Sequence, residues 1–147
     1  MSVKNQLRDD MKQAMRSGDK ARLGVVRMAL AAIQQREVDE RIELDDAGVL
    51  GVIEKMIKQR RESVQQYRAG GRQDLVDKES AEIELLSAYL PEPLEAAELA
   101  ALVDQVVADT GATSMKDMGK VMAELRNRAQ GRADMAALSA QVKSRLG

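Results

Sequence analysis

The sequence predicts an all-α protein, in which an N-terminal domain of four helices is followed by a smaller C-terminal domain of three helices. Three observations support this fold class. Residues that favour helix, such as Ala, Leu, Glu and Lys, are abundant among the 147 residues, whereas Phe and Trp are absent and Tyr occurs twice. Apolar residues recur three and four positions apart. Gly, Pro and Asp interrupt these periodic stretches, as expected where helices begin and end.

The first two helices are each marked by a capping residue and an apolar stripe. Ser2 is expected to cap the first helix and Gly18 to end it, after which Asp19 caps the second. The stripes are Val3, Leu7, Met11 and Met15 in the first helix, and Leu23, Val26, Leu30 and Ile33 in the second. The second stripe fades in the charged residues 36–43, which we expect to form a frayed helix end and a loop.

The third and fourth helices are separated by the pair Gly70-Gly71. Asp45 or Asp46 is expected to begin the third helix. The two stripes are Val49, Ile53, Met56 and Ile57 in the third helix, and Val76, Glu79, Ile83, Leu86 and Leu90 in the fourth. The two glycines are interpreted as a helix terminator, because no GxxxxGK[ST] or GxGxxG motif accompanies them.

Pro91 and Pro93 mark the boundary between the predicted domains, 1–90 and 91–147. Proline lacks the amide donor that a continuing helix needs, and it restricts the residue before it. The predicted C-terminal domain is short enough that it could depend on the first domain for stability.

The C-terminal domain is predicted to contain a fifth, a sixth and a seventh helix. The fifth ends at Gly111, and Ser114 with Asp117 resembles a capping box at the start of the sixth. Gly131 is expected to end the sixth helix in the left-handed conformation. The apolar stripes are Leu99, Leu102, Val103 and Val106, then Met118, Val121, Met122 and Leu125, then Met135, Leu138, Val142 and Leu146.

Charge is distributed unevenly along the chain, although the net charge is −1. Residues 74–113 contain ten acidic residues and one basic residue, whereas residues 114–147 contain seven basic and three acidic residues. The basic residues are Lys116, Lys120, Arg126, Arg128, Arg132, Lys143 and Arg145. Cations that converge on one face can bind phosphate, so residues 114–147 are the candidate binding region.

Histidine and cysteine are both absent. The chain therefore lacks the usual general base near neutral pH, the commonest metal ligand and the strongest nucleophile. Carboxylate pairs remain possible, at Glu79, Glu82 and Glu84 or at Asp45 and Asp46, but acids on charged helices usually form solvated faces or caps. We therefore predict no catalytic residues, no metal ligands and no cofactor.

Three stretches of the chain resemble the GatB/YqeY family. They are Asp10–Met15 followed by Leu23–Met28, Leu85–Leu94 with its Tyr-Leu-Pro junction, and Asp117–Met122 followed by Gly131–Asp134. The resemblance covers essentially the whole chain and is to the stand-alone YqeY-like proteins. The B subunit of tRNA-dependent amidotransferases is similar only in its tail domain.

The resemblance implies a non-catalytic accessory module that binds tRNA or another structured RNA. In that family a separate subunit carries the glutaminase site, and the catalytic portion of the B subunit carries the ATP- and magnesium-using site. This chain resembles neither, although a family label of carbon–nitrogen ligase with glutamine as amide donor could be attached to it. The predicted RNA-binding residues are Gly119, Lys120, Arg128, Gly131, Arg132 and Lys143. The lack of aromatic stacking residues limits recognition to RNA shape and backbone.

Three alternatives remain open. Gly119, inside a helix, could accommodate the close approach of a packed helix or of an RNA strand. A protein-interaction adaptor would expose the methionines Met118, Met122 and Met135. A second basic cluster, Lys55, Lys58, Arg60, Arg61, Arg68 and Arg72, could pair with acids of the fourth helix or extend an RNA-facing surface.

No apolar run approaches the ~20 residues of a membrane span, and the first residues contain acids without an apolar signal core. The sequence thus predicts a cytoplasmic protein with no membrane partner.

Overall fold

The computed structural model of the protein describes residues 2–129 and 131–147. Its helices are α1 (Val3–Ser17), α2 (Lys20–Glu40), α3 (Asp46–Ala69), α4 (Gln73–Ser87), α5 (Ala96–Thr110), α6 (Met118–Ala129) and α7 (Met135–Leu146). A 3-10 turn, Met115–Asp117, immediately precedes α6. The described residues contain no strand, so the predicted all-α fold is confirmed.

The chain divides into two compact units. The N-terminal unit is Met1–Leu90, with α1 to α4, and the C-terminal unit is Pro91–Gly147, with α5 to α7. The assignment of residues 1–90 and 91–147 as two domains stays a prediction.

The caps predicted for the first three helices are present. The side chains of Ser2, Asp19 and Asp45 accept hydrogen bonds from the backbone N–H groups three residues further on, at 3.1, 3.2 and 2.9 Å. Gly18 ends α1 with φ 72°, a conformation that L side chains rarely adopt. Asp46 has a different role from Asp45, because its Oδ1 accepts the N–H of Val3 at 3.0 Å. The starts of α1 and α3 are thereby held together.

The prediction of a frayed end and loop over residues 36–43 is wrong for residues 36–40, because α2 continues to Glu40, and right for residues 41–43, which lie outside the helix. The side chains of Arg36 and Glu40 pair at 2.6 Å, one turn apart. Glu37 pairs with Lys4 of α1 at 2.6 Å and accepts the N–H of Leu44 at 2.8 Å. Lys4 and the Leu44 N–H lower the pKa of the Glu37 carboxyl, since both favour its charged form. The last turns of α2 are thus stabilised by charge contacts, whereas the apolar stripe supports the earlier part of the helix.

The core of the N-terminal unit is aliphatic. Its fully or almost fully buried members include Leu7, Val25, Val26, Ile33, Val49, Ile53, Ile57 and Leu86. Leu86 is the last of the predicted α4 stripe to lie within the helix, which ends at Ser87. Leu90 lies beyond that end, contrary to the prediction, but still packs on the core. Truncating one such Leu or Ile to Ala costs about 2–5 kcal/mol, from lost burial and a residual cavity.

The C-terminal unit has a separate aliphatic core to which all three of its helices contribute. The buried members are Val103, Val106, Val121, Leu125, Ala129, Leu138, Val142 and Leu146. Two hydrogen bonds fix the turn that starts α6, because Asp117 Oδ2 accepts the N–H groups of Thr113 at 3.0 Å and Ser114 at 3.4 Å. These bonds lower the pKa of Asp117 and confirm it as a capping residue.

Candidate nucleic-acid interface

The six predicted RNA-binding residues all lie on α6, on α7 or on the turn between these helices. The buried face of α6 is formed by Val121, Leu125 and Ala129. Successive residues of a helix lie ~100° apart, so the remaining surface of α6 has two flanks. Lys120 and Arg128 lie on one flank, whereas Gly119 lies on the other. The structure therefore separates residues that are adjacent in the sequence.

Lys120 lies on the flank of α6 that faces α5. Its Nζ donates to the backbone O of Thr110, the last residue of α5, at 3.0 Å. A cation near the carbonyl end of a helix interacts favourably with the helix dipole and with the unpaired carbonyl groups there. Lys120 thus has an intramolecular role, while its exposed ammonium retains two further donors.

Arg128 lies between two carboxylates on the same flank. Its Nη1 is 2.7 Å from Asp109 Oδ2 of α5, and its Nε is 2.8 Å from Glu124 Oε1. These contacts raise the pKa of the Arg128 guanidinium, and the hydrogen bond from Arg128 lowers the pKa of the Asp109 carboxyl. Two negative charges surround one positive charge here, so a phosphate approaching Arg128 would meet a net negative cluster.

Arg132 links the α6–α7 turn to the segment that precedes α5. Its Nε donates to the backbone O of Glu92 at 2.8 Å, and its own backbone O accepts the N–H of Leu94 at 2.7 Å. Gly131, beside it, has φ 80°, the left-handed conformation expected after α6. Arg132 therefore positions this turn. Sequence reasoning missed the contact, because the partners are 40 residues apart.

Gly119 is exposed, and the space around it is open. A Cβ built on this residue would meet no described atom within 4 Å beyond its local surroundings. The packed-helix explanation for Gly119 is therefore wrong for the residues that the structure describes. The close approach of an external strand remains as the other explanation.

Lys143 and Arg126 lie on the flanks that turn away from α5. On α7, Arg145 pairs with Asp104 of α5, and Lys143 is about 160° from Arg145 around the helix axis. On α6, Arg126 is seven residues after Gly119 and therefore lies within about 20° of it. Both side chains are exposed, and within residues 2–129 and 131–147 the structure shows no ion pair for either. We call Gly119, Arg126 and Lys143 the outer α6/α7 surface.

The two remaining basic residues of 114–147 also differ in their contacts. Arg145 is tied to α5 and also donates to the Gln141 side chain at 2.9 Å, so its charge supports the helix packing. Lys116, in the 3-10 turn, is exposed. The sequence identified Arg126 and Arg145 as basic but could not show that, of these two, Arg145 alone has an acidic partner among the described residues.

Three of the five carboxylates considered for catalysis have structural roles. Glu82 pairs with Arg60 at 2.9 Å, Asp45 caps α3 and Asp46 binds Val3. In the part of the chain that the structure describes, no group of three or more acidic residues could hold a metal ion. Among the same residues, no helix is long and apolar enough to cross a membrane.

The three methionines considered for an adaptor surface are half-buried. Met118, Met122 and Met135 each pack against the core of the C-terminal unit. They are neither exposed nor fully buried, so the adaptor hypothesis stays a prediction.

The architecture and these surfaces define an all-α protein with two helical units and basic residues exposed on its C-terminal unit. A sequence model of the family described as "Yqey-like protein" matches residues 4–146. The chain therefore belongs to the YqeY-like family, as the sequence motifs predicted. Similarity to the tail of the amidotransferase B subunit stays a prediction.

Three relatives are named "Altered inheritance of mitochondria protein 41, mitochondrial". The protein from Eremothecium gossypii is 39% identical over 101 residues, which cover 67% of this chain and 55% of the relative. That from Vanderwaltozyma polyspora is 34% identical over 85 residues, with 57% and 46% covered. That from Pyrenophora tritici-repentis is 31% identical over 128 residues, with 84% and 71% covered.

These relatives bear on the predicted localisation. The chain spans about half the length of the first relatives it matches. Their names place them in mitochondria. The prediction of a cytoplasmic protein is contradicted by this finding and is withdrawn.

Proposed function

We propose that this chain is a non-catalytic accessory protein that binds tRNA or another structured RNA through the phosphate backbone. The observation that carries the proposal is the outer α6/α7 surface. It combines two exposed cations that lack intramolecular ion pairs among the described residues with a glycine whose surroundings are open. The similarity to the tail of a tRNA-dependent amidotransferase that the sequence motifs predict would point to the same function.

The chemistry of the surface favours the RNA backbone over the RNA bases as its ligand. Arg126 and Lys143 supply charge and hydrogen-bond donors for phosphate. Gly119 lacks a side chain. A sugar-phosphate strand can therefore come closer to the α6 backbone at this position than it could if any other residue stood there. The two tyrosines of the chain, Tyr67 and Tyr89, both belong to the N-terminal unit. Base stacking on aromatic rings is therefore not part of this surface.

Lys120, Arg128 and Arg132 have secondary roles in this proposal. Their side chains are engaged by Thr110, by Asp109 with Glu124, and by Glu92. We expect them to position α5, α6 and the α6–α7 turn, and Lys120 to add a peripheral phosphate contact. Gly131 shapes the turn.

Binding of the purified chain to bulk tRNA across a salt series tests the proposal. Mitochondrial tRNA serves as a second probe, because the relatives are named mitochondrial proteins. We expect affinity to fall steeply between about 50 and 200 mM salt, through counterion release. Arg126→Glu/Lys143→Glu should abolish binding while leaving the thermal melt unchanged.

The matched control is Lys12→Glu/Arg16→Glu on α1, which changes the net charge equally at two exposed positions. This variant should keep most of the affinity. If the wild type fails to bind at the lowest salt, or if the two variants lose affinity equally, the RNA proposal is wrong. Protein partners would then be the next candidates.

A further inference from the structure

A second basic surface lies in the N-terminal unit, along a groove between α3 and α4. We call it the α3/α4 groove. Its volume is about 420 Å³ and its lining residues are Arg61, Val64, Gln65 and Arg68 of α3 with Ser80, Ile83 and Glu84 of α4. Val64 is only 8% exposed, so the apolar floor is small. Charged and polar side chains form the rims.

Arg61 and Arg68 form one rim of this groove. They are seven residues apart on α3, which places them within about 20° of each other around the helix and about 10 Å apart along it. Both are exposed, and the described residues provide neither of them with an ion pair. Lys58, one turn before Arg61 and about 60° from it around the helix, is also exposed and extends the same flank.

Two arginines close to this rim do form ion pairs, unlike Arg61 and Arg68. Arg60 is buried and pairs with Glu82 at 2.9 Å, and Arg72 pairs with Asp74 at 3.0 Å. Among the residues that the structure describes, pairing with acids of α4 therefore accounts for Arg60 alone of the arginines of α3. Glu84 lies on the opposite rim from Arg61 and Arg68, and the described residues show no ion pair between it and either arginine.

We infer that the α3/α4 groove binds the phosphodiester backbone of the same RNA, with Arg61 and Arg68 as the phosphate-binding residues. This inference rests on the proposed function and extends the RNA contact to the N-terminal unit. Two guanidinium groups and the Ser80 hydroxyl provide donors around one opening, and guanidinium forks suit phosphate oxygens. Lys58 continues the cationic flank over about 15 Å, along which an extended polyanion can lie.

The small floor distinguishes RNA from an acidic peptide as the occupant. A peptide helix bound in a groove gains most of its affinity from apolar side chains that enter pockets. Val64 and Ile83 offer little depth for such a side chain, since Val64 is almost covered and Ile83 is partly buried. Arg61 and Arg68 on the rim supply the positive charge and the hydrogen-bond donors that a phosphate backbone needs.

A substitution of Glu84 also tests the inference, because it should strengthen RNA binding rather than weaken it. Its carboxylate repels phosphate from the second rim, so Glu84→Gln should tighten RNA binding by about twofold to fivefold at low salt. An acidic peptide would also respond in this direction, but its binding would depend on Val64 and Ile83.

The decisive experiment measures tRNA binding by the full chain carrying Arg61→Gln/Arg68→Gln. Loss of two phosphate contacts should lower the magnitude of the slope of log affinity against log salt by about 1.8. The control Lys12→Gln/Arg16→Gln removes the same charge from exposed positions on α1 and should leave the slope unchanged. Thermal melts verify that both variants are folded.

The outcomes separate the two proposals. If the wild type binds tRNA and Arg61→Gln/Arg68→Gln keeps the full slope, the groove does not contact RNA, while the outer α6/α7 surface remains supported. If Glu84→Gln weakens binding, the inference is equally wrong. If the wild type binds no RNA at any salt concentration, both proposals are wrong. A slope that falls only in the groove variant, with a gain for Glu84→Gln, supports the inference.

Discussion

The two units use charged side chains in different ways. In the N-terminal unit the main polar contacts are partly buried and join helices that are distant in sequence, as in Arg60–Glu82 and Lys4–Glu37. In the C-terminal unit the comparable pairs, Arg128–Asp109 and Arg145–Asp104, lie nearer to the solvent. Exposed pairs contribute little to stability, whereas breaking a buried pair is costly. Partly buried ion pairs therefore contribute more to the stability of the first unit than the exposed pairs contribute to that of the second.

The largest effect is expected at Arg60, whose side chain is 9% exposed. Arg60→Ala leaves the Glu82 carboxylate without its partner and removes the hydrogen bond to the Met56 backbone O. We expect a loss of about 2–4 kcal/mol in the free energy of unfolding, measured by urea denaturation.

Its control is the adjacent substitution Arg61→Ala, at an exposed position with the same charge change. This variant should stay within about 0.5 kcal/mol of the wild type. Equal losses for the two variants would show that the buried pair has no special role in the N-terminal unit.

A second effect is expected at Tyr89, whose hydroxyl donates to Asp10 Oδ2 of α1. Asp10 also pairs with Arg22 at 3.2 Å. Tyr89→Phe should cost about 0.5–1.5 kcal/mol, because the carboxylate loses one partner and keeps the other. Burial and the hydrogen bond to Asp10 raise the pKa of Tyr89.

The raised pKa predicts a dependence of stability on alkaline pH. The folded protein holds the phenol proton more tightly than the unfolded chain. This contribution is therefore complete below about pH 10 and is lost as the pH rises through the raised pKa. Urea denaturation of the wild type should show this loss, and Tyr89→Phe should reduce it. In Tyr67→Phe, where Tyr89 is the remaining tyrosine, absorbance should show late ionisation of the phenol. Ionisation near pH 10 would contradict the burial of Tyr89.

The helices and most of their ends could be predicted from the sequence, because caps and apolar periodicity are local signals. Ser2, Gly18, Asp19 and Asp45 were identified in this way. The continuation of α2 to Glu40 was missed, since it depends on Glu37 meeting Lys4 and on charge pairs rather than on apolar spacing.

The candidate site was less accessible to sequence reasoning. The sequence showed which residues of 114–147 are basic, but it could not show which of them are paired. The packing of the three helices brings Arg128 to Asp109 and Arg145 to Asp104, and both aspartates belong to α5. Arg126 and Lys143 remain on the other flanks. That distinction depends on tertiary contacts between residues 19 and 41 positions apart.

One exposed helical glycine in each unit allows a further comparison between the units, with a smaller expected effect on stability. Gly24 of α2 and Gly119 of α6 are both exposed, and a Cβ on either would meet no described atom within 4 Å beyond its local surroundings. Replacement of either by Ala should stabilise the protein by about 0.5–1 kcal/mol, because Ala favours helix.

Only Gly119→Ala should weaken tRNA binding, if a strand approaches α6 at that point. The measurement pairs thermal melts with binding at one fixed salt concentration for both variants. A stabilised Gly119→Ala protein with unchanged affinity would exclude close approach of RNA at Gly119.

The smallest effect is expected from releasing Arg128 from its carboxylates. Asp109→Asn/Glu124→Gln removes both partners of the guanidinium and should increase tRNA affinity modestly, because Arg128 then presents an uncompensated positive charge. The control Asp9→Asn/Glu43→Gln neutralises two exposed acids of the N-terminal unit and should produce a smaller increase.

The pKa of Asp109 provides an independent measurement of the same contacts. The hydrogen bond from Arg128 lowers the pKa of Asp109, so this pair contributes stability above the ordinary carboxyl pKa and loses it as the pH falls through the lowered value. In Arg128→Gln the pKa of Asp109, followed by NMR, should rise toward its ordinary value. If it does not move, the Arg128–Asp109 contact is absent in solution. Arg128 would then be available for RNA, and the distinction between the α5-facing side and the outer α6/α7 surface would no longer hold.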